Sequence, residues 1–392
     1  MAAPDPEARR IRRLIATFAL TGFASSLIVR ATDPLVASIA LDLGAPVGTV
    51  ALLASAFALP FAFVQPFLGP VGDALGKRRV ILVCQILLGF MVLGAAMAPG
   101  FGTLLLFRAL SGAAAGGTMP LTLAVFGDEV PLERRQVAIS RFLVFTIIGQ
   151  ITGGAMAALI EPALGWRGVL GLCALFSMLA ACVLFWAQRR APPAPIQPFQ
   201  PVVALRRYGM LFRMPAARIL YAAVAIEGGL IFGSFPHFAP LLTERGLGGT
   251  AEAGLSVAAF GCGGFIYAAI VGLVLRWIGQ NRMVRLGGFL AGAGLLGMAL
   301  ATHSWVFIGC GLLLGTGFFM IHNTIQVRAS EVAPQARGSA IAMHSFSFFV
   351  GQSAGPALMG LALAVVGSTL ALAWVAVAII GLGWWLGMRR GA

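Results

Sequence analysis

The chain has 392 residues, of which 59% are hydrophobic and only 10% are charged, and its mean hydropathy is +0.94. Soluble globular domains carry about 25% charged residues, so this composition excludes a soluble protein and predicts an integral membrane protein. The net charge of +14 comes from short cationic clusters between apolar runs. Without a continuous basic face or tail, such a distribution argues against nucleic-acid binding.

Apolar runs of about 20 residues, long enough to cross a bilayer as a helix, recur along the whole chain. They predict an all-α membrane protein with twelve transmembrane helices. The predicted spans are 14–41, 49–71, 79–97, 102–126, 137–160, 168–187, 218–242, 252–276, 283–302, 304–327, 338–362 and 369–388. The first run lacks a small-residue cleavage site, so we expect a retained span rather than a signal peptide.

Lysine and arginine are distributed unevenly between the connections. The termini and every second loop carry 23 of the 27 cationic residues. By the positive-inside rule, these connections and both termini face the cytoplasm. The pattern therefore predicts a multi-pass protein with an even number of spans.

The longest polar stretch, residues 188–217, begins QRRAPPAPIQPFQPVV, and its prolines predict an extended cytoplasmic linker. It separates an N-terminal six-helix bundle (1–187) from a C-terminal six-helix bundle (218–392). The two parts also resemble each other, because 129–158 aligns without gaps on 331–360 with nine identities in thirty. Internal duplication about a central linker is typical of transporter folds.

The connection between spans 2 and 3 reads GPVGDALGKRR (69–79). Its glycines permit a tight turn and close helix approach, and its single acid can cap a helix or pair with a following cation. An ordinary positive-inside loop has similar charges, so charge alone leaves both interpretations open. The residues of interest are Gly69, Asp73, Gly76, Lys77, Arg78 and Arg79.

This loop matches G-x-x-x-D-x-x-G-[KR]-[KR], which resembles the signature loop of the major facilitator superfamily. A degraded copy, GLVLRWIGQNR, lies between spans 8 and 9, where Arg276 takes the acidic position. Because this copy lacks the acid, we expect no equivalent acid–cation pair there. In span 4, FRALSGAAAGG is similar to the family pattern R-x-x-x-G-x-x-x-G and begins its match at Arg108.

Two further glycine patterns resemble the drug:proton antiporter branch of this family. GQITGG in span 5 is similar to G-x-x-x-G-P-x-x-G, with glycine in place of proline, whereas GQSAGPALMG in span 11 has the fuller form. The pattern residues are Gly149 and Gly153 in span 5 and Gly351, Gly355 and Pro356 in span 11.

The resemblance implies two pseudo-symmetric six-helix bundles around a cavity near the bilayer midplane, with alternating access by rocking. It implies a monomer in a bacterial inner membrane, whose partners are a small-molecule substrate, protons and the bilayer. It implies no cofactor, no nucleic acid and no enzymatic activity. The 69–79 loop would gate the cytoplasmic side.

Ionisable residues inside spans are functional candidates, because burying a charge in a membrane is costly. Arg30 and Asp33 lie three residues apart on one face of span 1, and Arg108 lies at a comparable depth in span 4. We expect Asp33 to pair with one of the two arginines. The pair serves either proton coupling and substrate binding or structure alone, and Pro34 is expected to kink span 1.

In the second half, Glu227 lies mid-depth in span 7 with no arginine at a similar depth. It is the best candidate for a carboxyl group that takes up and releases a proton. A protonated glutamate bonded to a neighbouring helix is the structural alternative. His237, further along the span, either lines the cavity or meets interfacial water.

His322 in span 10 and His344 in span 11 lie about two turns from the loop that joins their helices, so they are expected to lie close together. Asn323 and Gln326 share that region. Met320 and Met343 lie in the same region. Imidazole and thioether ligands suit copper(I), so a copper transporter is kept as a less favoured alternative. We predict polar cavity residues and no resident metal.

The leading hypothesis is a secondary transporter that exports a small organic molecule in exchange for protons. An importer of a sugar, organic acid or amino acid, either proton-coupled or facilitative, is the nearest alternative. No phosphate-binding glycine loop is present, which argues against an ATP-driven pump. A membrane enzyme or receptor is disfavoured because the candidate residues are spread over five spans.

Overall fold

The computed structural model describes residues 6–189 and 201–389, and these residues form α-helices joined by short turns. The helices of the first half are α1 (Pro6–Ala31), α2 (Val36–Leu43), α3 (Val47–Leu75), α4 (Lys77–Ala96), α5 (Phe101–Ala115), α6 (Thr118–Glu129), α7 (Leu132–Leu159) and α8 (Glu161–Gln188). Those that follow are α9 (Pro201–Arg213), α10 (Pro215–Ser234), α11 (Phe238–Glu244), α12 (Thr250–Leu300), α13 (Ser304–Glu331) and α14 (Arg337–Met388). The predicted all-α class is confirmed.

Among the described residues, ten helical stretches are long and apolar enough to cross a membrane. Helices α12 and α14 contain 51 and 52 residues, and each is interrupted by a glycine in the left-handed region, Gly279 (φ 74°) and Gly367 (φ 75°). At about 1.5 Å per residue, either helix is more than twice as long as a hydrocarbon core of ~30 Å. Each therefore forms two spans, and the described chain crosses twelve times, as predicted.

Spans 1 and 7 are broken at equivalent places. Span 1 consists of α1 and α2, separated by a 3-10 turn at Asp33–Leu35, and span 7 consists of α10 and α11, separated by a 3-10 turn at Phe235–His237. Each turn contains a proline, which cannot donate a backbone hydrogen bond. The kink expected at Pro34 is thus present, and the duplicated half repeats it.

The two halves are packed by repeated glycine contacts. A Cβ atom at Gly149 would lie 2.4 Å from the carbonyl oxygen of Phe23, and one at Gly351 would lie 1.8 Å from that of Ala225. Both residues of the second contact follow those of the first by the offset that aligns 129–158 on 331–360. The predicted duplication therefore extends from sequence to helix packing, where only glycine allows the backbones to approach so closely.

A second repeated contact joins span 4 to span 2 and span 10 to span 8. A Cβ atom at Gly112 would lie 2.0 Å from the carbonyl oxygen of Phe57, and one at Gly315 would lie 2.0 Å from that of Phe260. Both partners are again displaced by one common offset, a single position longer than that of the first contact. Together with the buried apolar clusters, which separate into residues 11–184 and 211–386, this repetition makes the fold two pseudo-symmetric bundles.

The region predicted as an extended linker contains a helix. Residues 190–200 lie outside the described part, but α9 occupies Pro201–Arg213, with its only proline at the first helical position. Leu211 is fully buried and the Tyr208 hydroxyl donates a hydrogen bond of 2.8 Å to the Pro66 carbonyl of α3. The expectation of an extended linker was wrong for this segment, because its proline-free run can form a helix with one buried face.

Both described chain ends and the 69–79 loop lie on one side of the helix bundle, here called the terminal side; the other is the opposite side. On the opposite side the halves are in contact. A Cβ atom at Gly254 of α12 would lie 2.4 Å from the carbonyl oxygen of Gly154 in α7. On the terminal side a cavity separates the halves.

Candidate functional site

The buried charges of span 1 pair with each other. Arg30 and Asp33 are 4% and 3% exposed, and Arg30 Nη1 donates a hydrogen bond of 3.3 Å to Asp33 Oδ2. Arg108 is 1% exposed, interacts with Asp33 only through space, and makes a long hydrogen bond of 3.5 Å to the carbonyl oxygen of Ile28. Its guanidinium carbon lies 4.4 Å from the ring centroid of Phe57. Of the two pairings considered from sequence, the structure therefore contains Arg30–Asp33.

Arg30 also connects the two halves. Its guanidinium carbon lies 3.9 Å from the ring centroid of Phe232 and 5.5 Å from that of Phe235, and both rings belong to the second half. In the alignment that pairs Gly149 with Gly351, Phe232 is the equivalent of Arg30 and Phe235 is the equivalent of Asp33. An ion pair in one half thus packs on an aromatic pair at the same place in the other half, a favourable cation–π arrangement.

A second polar centre lies in the second half. Glu227 of α10 is fully buried, and its Oε2 lies 2.9 Å from Nδ1 of His322 in α13. The rings of His322 and His344 are 5.1 Å apart. Glu227 Oε1 and both ring nitrogens of His344 have no hydrogen-bond partner among the described residues. The structure thus brings together three of the predicted residues and leaves proton-accepting atoms available beside them.

An aromatic cluster separates the two polar centres. Phe348 lies 4.7 Å from the ring centroid of His322 and 5.5 Å from that of Phe232, which in turn carries Arg30. Phe318 bridges the same two rings at 4.9 Å and 5.2 Å. The middle of the interface between the halves is therefore aromatic, with charge on one side and a carboxyl–imidazole group on the other.

A cavity of about 580 Å³ opens between the halves on the terminal side. It is lined by α3, α4 and α6 of the first half and by α9 and the start of α14, and Asp73 faces it together with Lys77, Arg207 and Arg337. Beyond Gln65 at its inner end, Phe61 of α3 meets Phe349 of α14, with ring centroids 4.0 Å apart. The halves are therefore apart on the terminal side and closed beyond this aromatic contact.

The 69–79 loop ties helices of the first half together. Gly76 adopts φ 88° and ends α3, which turns the chain directly into α4. Lys77 Nζ lies 2.9 Å from Asp73 and 2.7 Å from Asp128 at the end of α6, and Arg78 forms a bidentate ion pair with Glu129. Gly69 lines the cavity, and Arg79 is exposed.

The degraded loop of the second half is replaced by a different contact. Arg276, which stands where the acid is expected, is exposed. Arg328 at the end of α13 instead donates hydrogen bonds of 2.7 Å to Asn281 and 3.1 Å to the carbonyl oxygen of Leu386. Sequence reasoning missed this pair, although Asn281 aligns with Arg78 when Gly315 is aligned with Gly112. In the first half the arginine of this contact lies in the loop, whereas in the second half it lies at the end of α13.

Three other predicted residues lie outside the carboxyl–imidazole group. His237 is buried, and its Nε2 lies 3.1 Å from the carbonyl oxygen of Pro356, so it joins α14 to the break in span 7. Asn323 interacts with Tyr267, and Gln326 lies one turn from His322 towards the terminal side.

A buried polar network in the first half was not singled out from sequence. Ser25 Oγ lies 3.2 Å from Oε1 of Gln85 and 3.1 Å from Oγ1 of Thr118, within hydrogen-bond distance of both, and Gln85 Nε2 donates to Ser177 Oγ at 2.8 Å. Ser25 is the equivalent of Glu227 in the alignment of the halves, and this correspondence is the signal that would have found it. The first half therefore holds a neutral network where the second half holds a carboxyl group.

Among the described residues, no group of three or more His, Cys, Asp and Glu side chains is arranged to hold a metal ion. All five cysteines are free.

Comparison with known proteins shows the family and the fold of this chain. The model of the Major Facilitator Superfamily matches residues 18–356. The chain is 33% identical over 105 residues to synaptic vesicle glycoprotein 2C of Rattus norvegicus, covering 27% of this chain and 14% of that protein. It is 21% identical over 174 residues to the uncharacterized MFS-type transporter YybF of Bacillus subtilis (strain 168), covering 44% and 43%. The chain thus matches less than half the length of these curated relatives.

The fold is also found among solved structures. The crystal structure of peptide transporter POT in complex with sulfate superposes with a TM-score of 0.79 at 14% identity, covering 95% of this chain and 93% of that one. At such low identity the likeness concerns the fold alone. With the family match over most of its length, the twelve described spans and the repeated packing of its halves, this chain belongs to the major facilitator superfamily of membrane transporters.

Proposed function

We propose that this transporter is proton-coupled and exports a small organic molecule by alternating access, as members of the drug:proton antiporter branch do. The observation that carries the proposal is the fully buried Glu227 with its Oε2 2.9 Å from His322. A carboxyl group in that environment avoids a charge by holding a proton. Releasing the proton requires water or a new partner, which opening of the halves supplies.

His322 and His344 extend this site. If Glu227 loses its proton, His322 is placed to donate to the carboxylate, and the ring of His344 lies next in line at 5.1 Å. The unpartnered nitrogens of His344 can accept a proton or bind a polar substrate group. In this proposal Glu227 is the coupling group and the two imidazoles control its access, with Asn323 and Gln326 as polar residues nearby.

The first half contributes through span 1. Arg30 forms an ion pair with Asp33 and packs on Phe232. A change in this ion pair would therefore change a contact with the other half. We propose that Asp33 and Arg108 take part in coupling with Glu227, while His237 supports the break in span 7. The moving units are then residues 1–187 and 218–392, joined by the linker 188–217.

The 69–79 loop is proposed to gate the terminal side. Asp73 lines the cavity from the first half and Arg337 lines it from the second. Closing the cavity would bring these opposite charges together, while the ion pairs to α6 keep the first half rigid. By the cationic bias of its connections, we propose that the terminal side is cytoplasmic and that the membrane is a bacterial inner membrane, with the protein acting as a monomer.

Proteoliposomes test the coupling. Purified protein would first be screened for thermal stabilisation by drugs, sugars and organic acids, and flux of a stabilising compound would then be driven by a pH gradient of either sign. We expect Glu227→Gln to lose pH-driven flux but to keep exchange of labelled for unlabelled substrate, and the exposed Glu244→Gln to behave as wild type. Equal pH-driven flux in wild type and Glu227→Gln would overturn the coupling role, and the favoured sign of the gradient separates export from import.

A further inference from the structure

Among the described residues of the first half, the buried charges do not balance. Arg30, Arg108 and Asp33 are all buried, and they carry two positive charges and one negative charge. Asp33 makes its hydrogen bond to Arg30 and attracts Arg108 only through space. One net positive charge therefore remains inside the membrane-spanning part, where an uncompensated charge is costly because it has lost its water.

No other described carboxyl group compensates Arg108. None forms an ion pair with it, and Glu227, the other buried acid, is in contact with His322 instead. The polar contacts of Arg108 are also weak. Its hydrogen bond to Ile28 is 3.5 Å long, and its Nε has no partner among the described residues. A fully buried guanidinium with unused donors lies ready for an anionic group.

The surroundings of this charge are aromatic. Phe57 stacks on Arg108, and along α3 Phe61 and then Gln65 lead from Phe57 to the terminal cavity. Phe349 closes this route at 4.0 Å from Phe61. A ligand that entered from the cavity when these rings part would meet apolar faces first and the guanidinium last.

We propose that the transported substrate is an organic monoanion with an apolar, aromatic body, whose carboxylate or sulfonate binds Arg108. The anion brings the buried charge of the site to zero, and the aromatic cluster between the two polar centres takes the body of the molecule. This inference rests on the proposed transport function and adds the substrate class. Arg30 stays bonded to Asp33, so Arg108 is the residue that discriminates for negative charge.

Matched pairs of small molecules test it on the purified, full-length protein. The melting temperature is measured against concentration for benzoate and benzenesulfonate, for their uncharged amides benzamide and benzenesulfonamide, and for acetate. We expect both aromatic anions to stabilise the protein and to bind at least ~10-fold more tightly than their amides, the scale of one charge-assisted contact. Acetate, which lacks the apolar body, should bind more weakly than benzoate.

Variants separate the charge from the fold. Arg108→Gln should abolish the response to the anions and, because it removes the uncompensated charge, should melt no lower than wild type without ligand. Arg276→Gln removes an exposed arginine and should keep the wild-type response. Asp33→Asn raises the net charge of the site and should tighten anion binding several-fold. Equal stabilisation by anions and amides, or an unchanged anion response in Arg108→Gln, would overturn the inference.

Flux of benzenesulfonate, which stays ionised and does not cross bilayers unaided, distinguishes this inference from the transport proposal. If it binds through Arg108 but is not moved in proteoliposomes, the anion site stands and the transport function fails. If a neutral or cationic compound is moved with protons while neither anion binds, the transport function stands and the inference falls.

Discussion

Arg30 of the first half lies over the ring of Phe232, the residue that occupies the equivalent position of the second half, with 3.9 Å between the guanidinium carbon and the ring centroid. The same arginine is bonded to Asp33. In the proposed transport cycle, separation of the halves on the opposite side would take Arg30 away from the ring but leave it with its carboxylate, so opening would not leave this charge without a partner. The contact therefore has the properties of a reversible latch.

Weakening this latch should open the opposite side more often. Phe232→Leu keeps an apolar side chain but removes the cation–π contact, which is worth ~1–2 kcal/mol when desolvated. We expect a several-fold higher rate of maleimide labelling at Ser234→Cys, a position that is fully buried in the closed state. Phe289→Leu, at a ring that is 60% exposed, is the matched control. Equal labelling in both variants would show that the ring does not hold the closed state.

The Glu227–His322 contact should be visible as an energetic coupling. His322→Leu leaves Glu227 buried without its partner, so we expect a loss of ~1–3 kcal/mol in the free energy of unfolding. When His322→Leu is introduced into the Glu227→Leu variant, it should cost less free energy of unfolding. The difference between the two costs is the coupling energy of the double-mutant cycle, which we expect to be ~0.5–3 kcal/mol. The exposed His303→Leu serves as the control. A coupling energy of zero would mean that the two side chains do not stabilise each other.

The acid of the 69–79 loop should act on turnover. Asp73→Asn removes a charge from the cavity wall that is proposed to meet Arg337 on closing, so we expect turnover to fall ~3- to 10-fold, the scale of an ion pair of about 1 kcal/mol. Binding of substrate from the opposite side should change less. Asp128→Asn is a matched control, because Asp128 shares Lys77 as a partner and is not a cavity-lining residue. A similar loss in both variants would mean that Asp73 acts only through the ion pairs of Lys77 within the first half.

Charge reversal sharpens the same prediction. The double variant Asp73→Arg with Arg337→Asp exchanges the two charges across the cavity. Turnover should recover in the double variant relative to Asp73→Arg alone if the charges meet during the cycle. Both rates are measured in proteoliposomes with the same stabilising substrate.

The repeated glycine contacts should be intolerant of a methyl group. A Cβ atom at Gly351 would lie 1.8 Å from the carbonyl oxygen of Ala225, so Gly351→Ala must push α14 away from α10. Overpacking of this kind typically costs ~1–3 kcal/mol, and thermal unfolding should report a clearly lower melting temperature. Gly381→Ala in the same helix has open space around the added methyl and should melt like wild type. Gly149→Ala is expected to match Gly351→Ala, since its contact is the equivalent one.

Much of the site could be anticipated because charge inside a membrane is costly and therefore conspicuous. Arg30, Asp33, Arg108 and Glu227 were found as ionisable residues in apolar runs, and the duplication suggested which helices would pack alike. The contacts of these residues were not predictable. That Asp33 bonds Arg30 rather than Arg108, and that Glu227 meets His322, depends on the rotation of each helix, which the length of an apolar run does not specify.

The sequence by itself determined the membrane environment, the number of spans, the duplication and the family, because each follows from local composition and spacing. Tertiary structure alone decided which side of the bundle is open, that Arg30 packs on its own equivalent in the other half, and that no described carboxylate forms an ion pair with Arg108. These features arise where the two halves meet. Contacts between residues so far apart in the chain produce no periodic pattern in the sequence. The family loop at 69–79 identified the fold, whereas the interface between the halves carries the proposed chemistry.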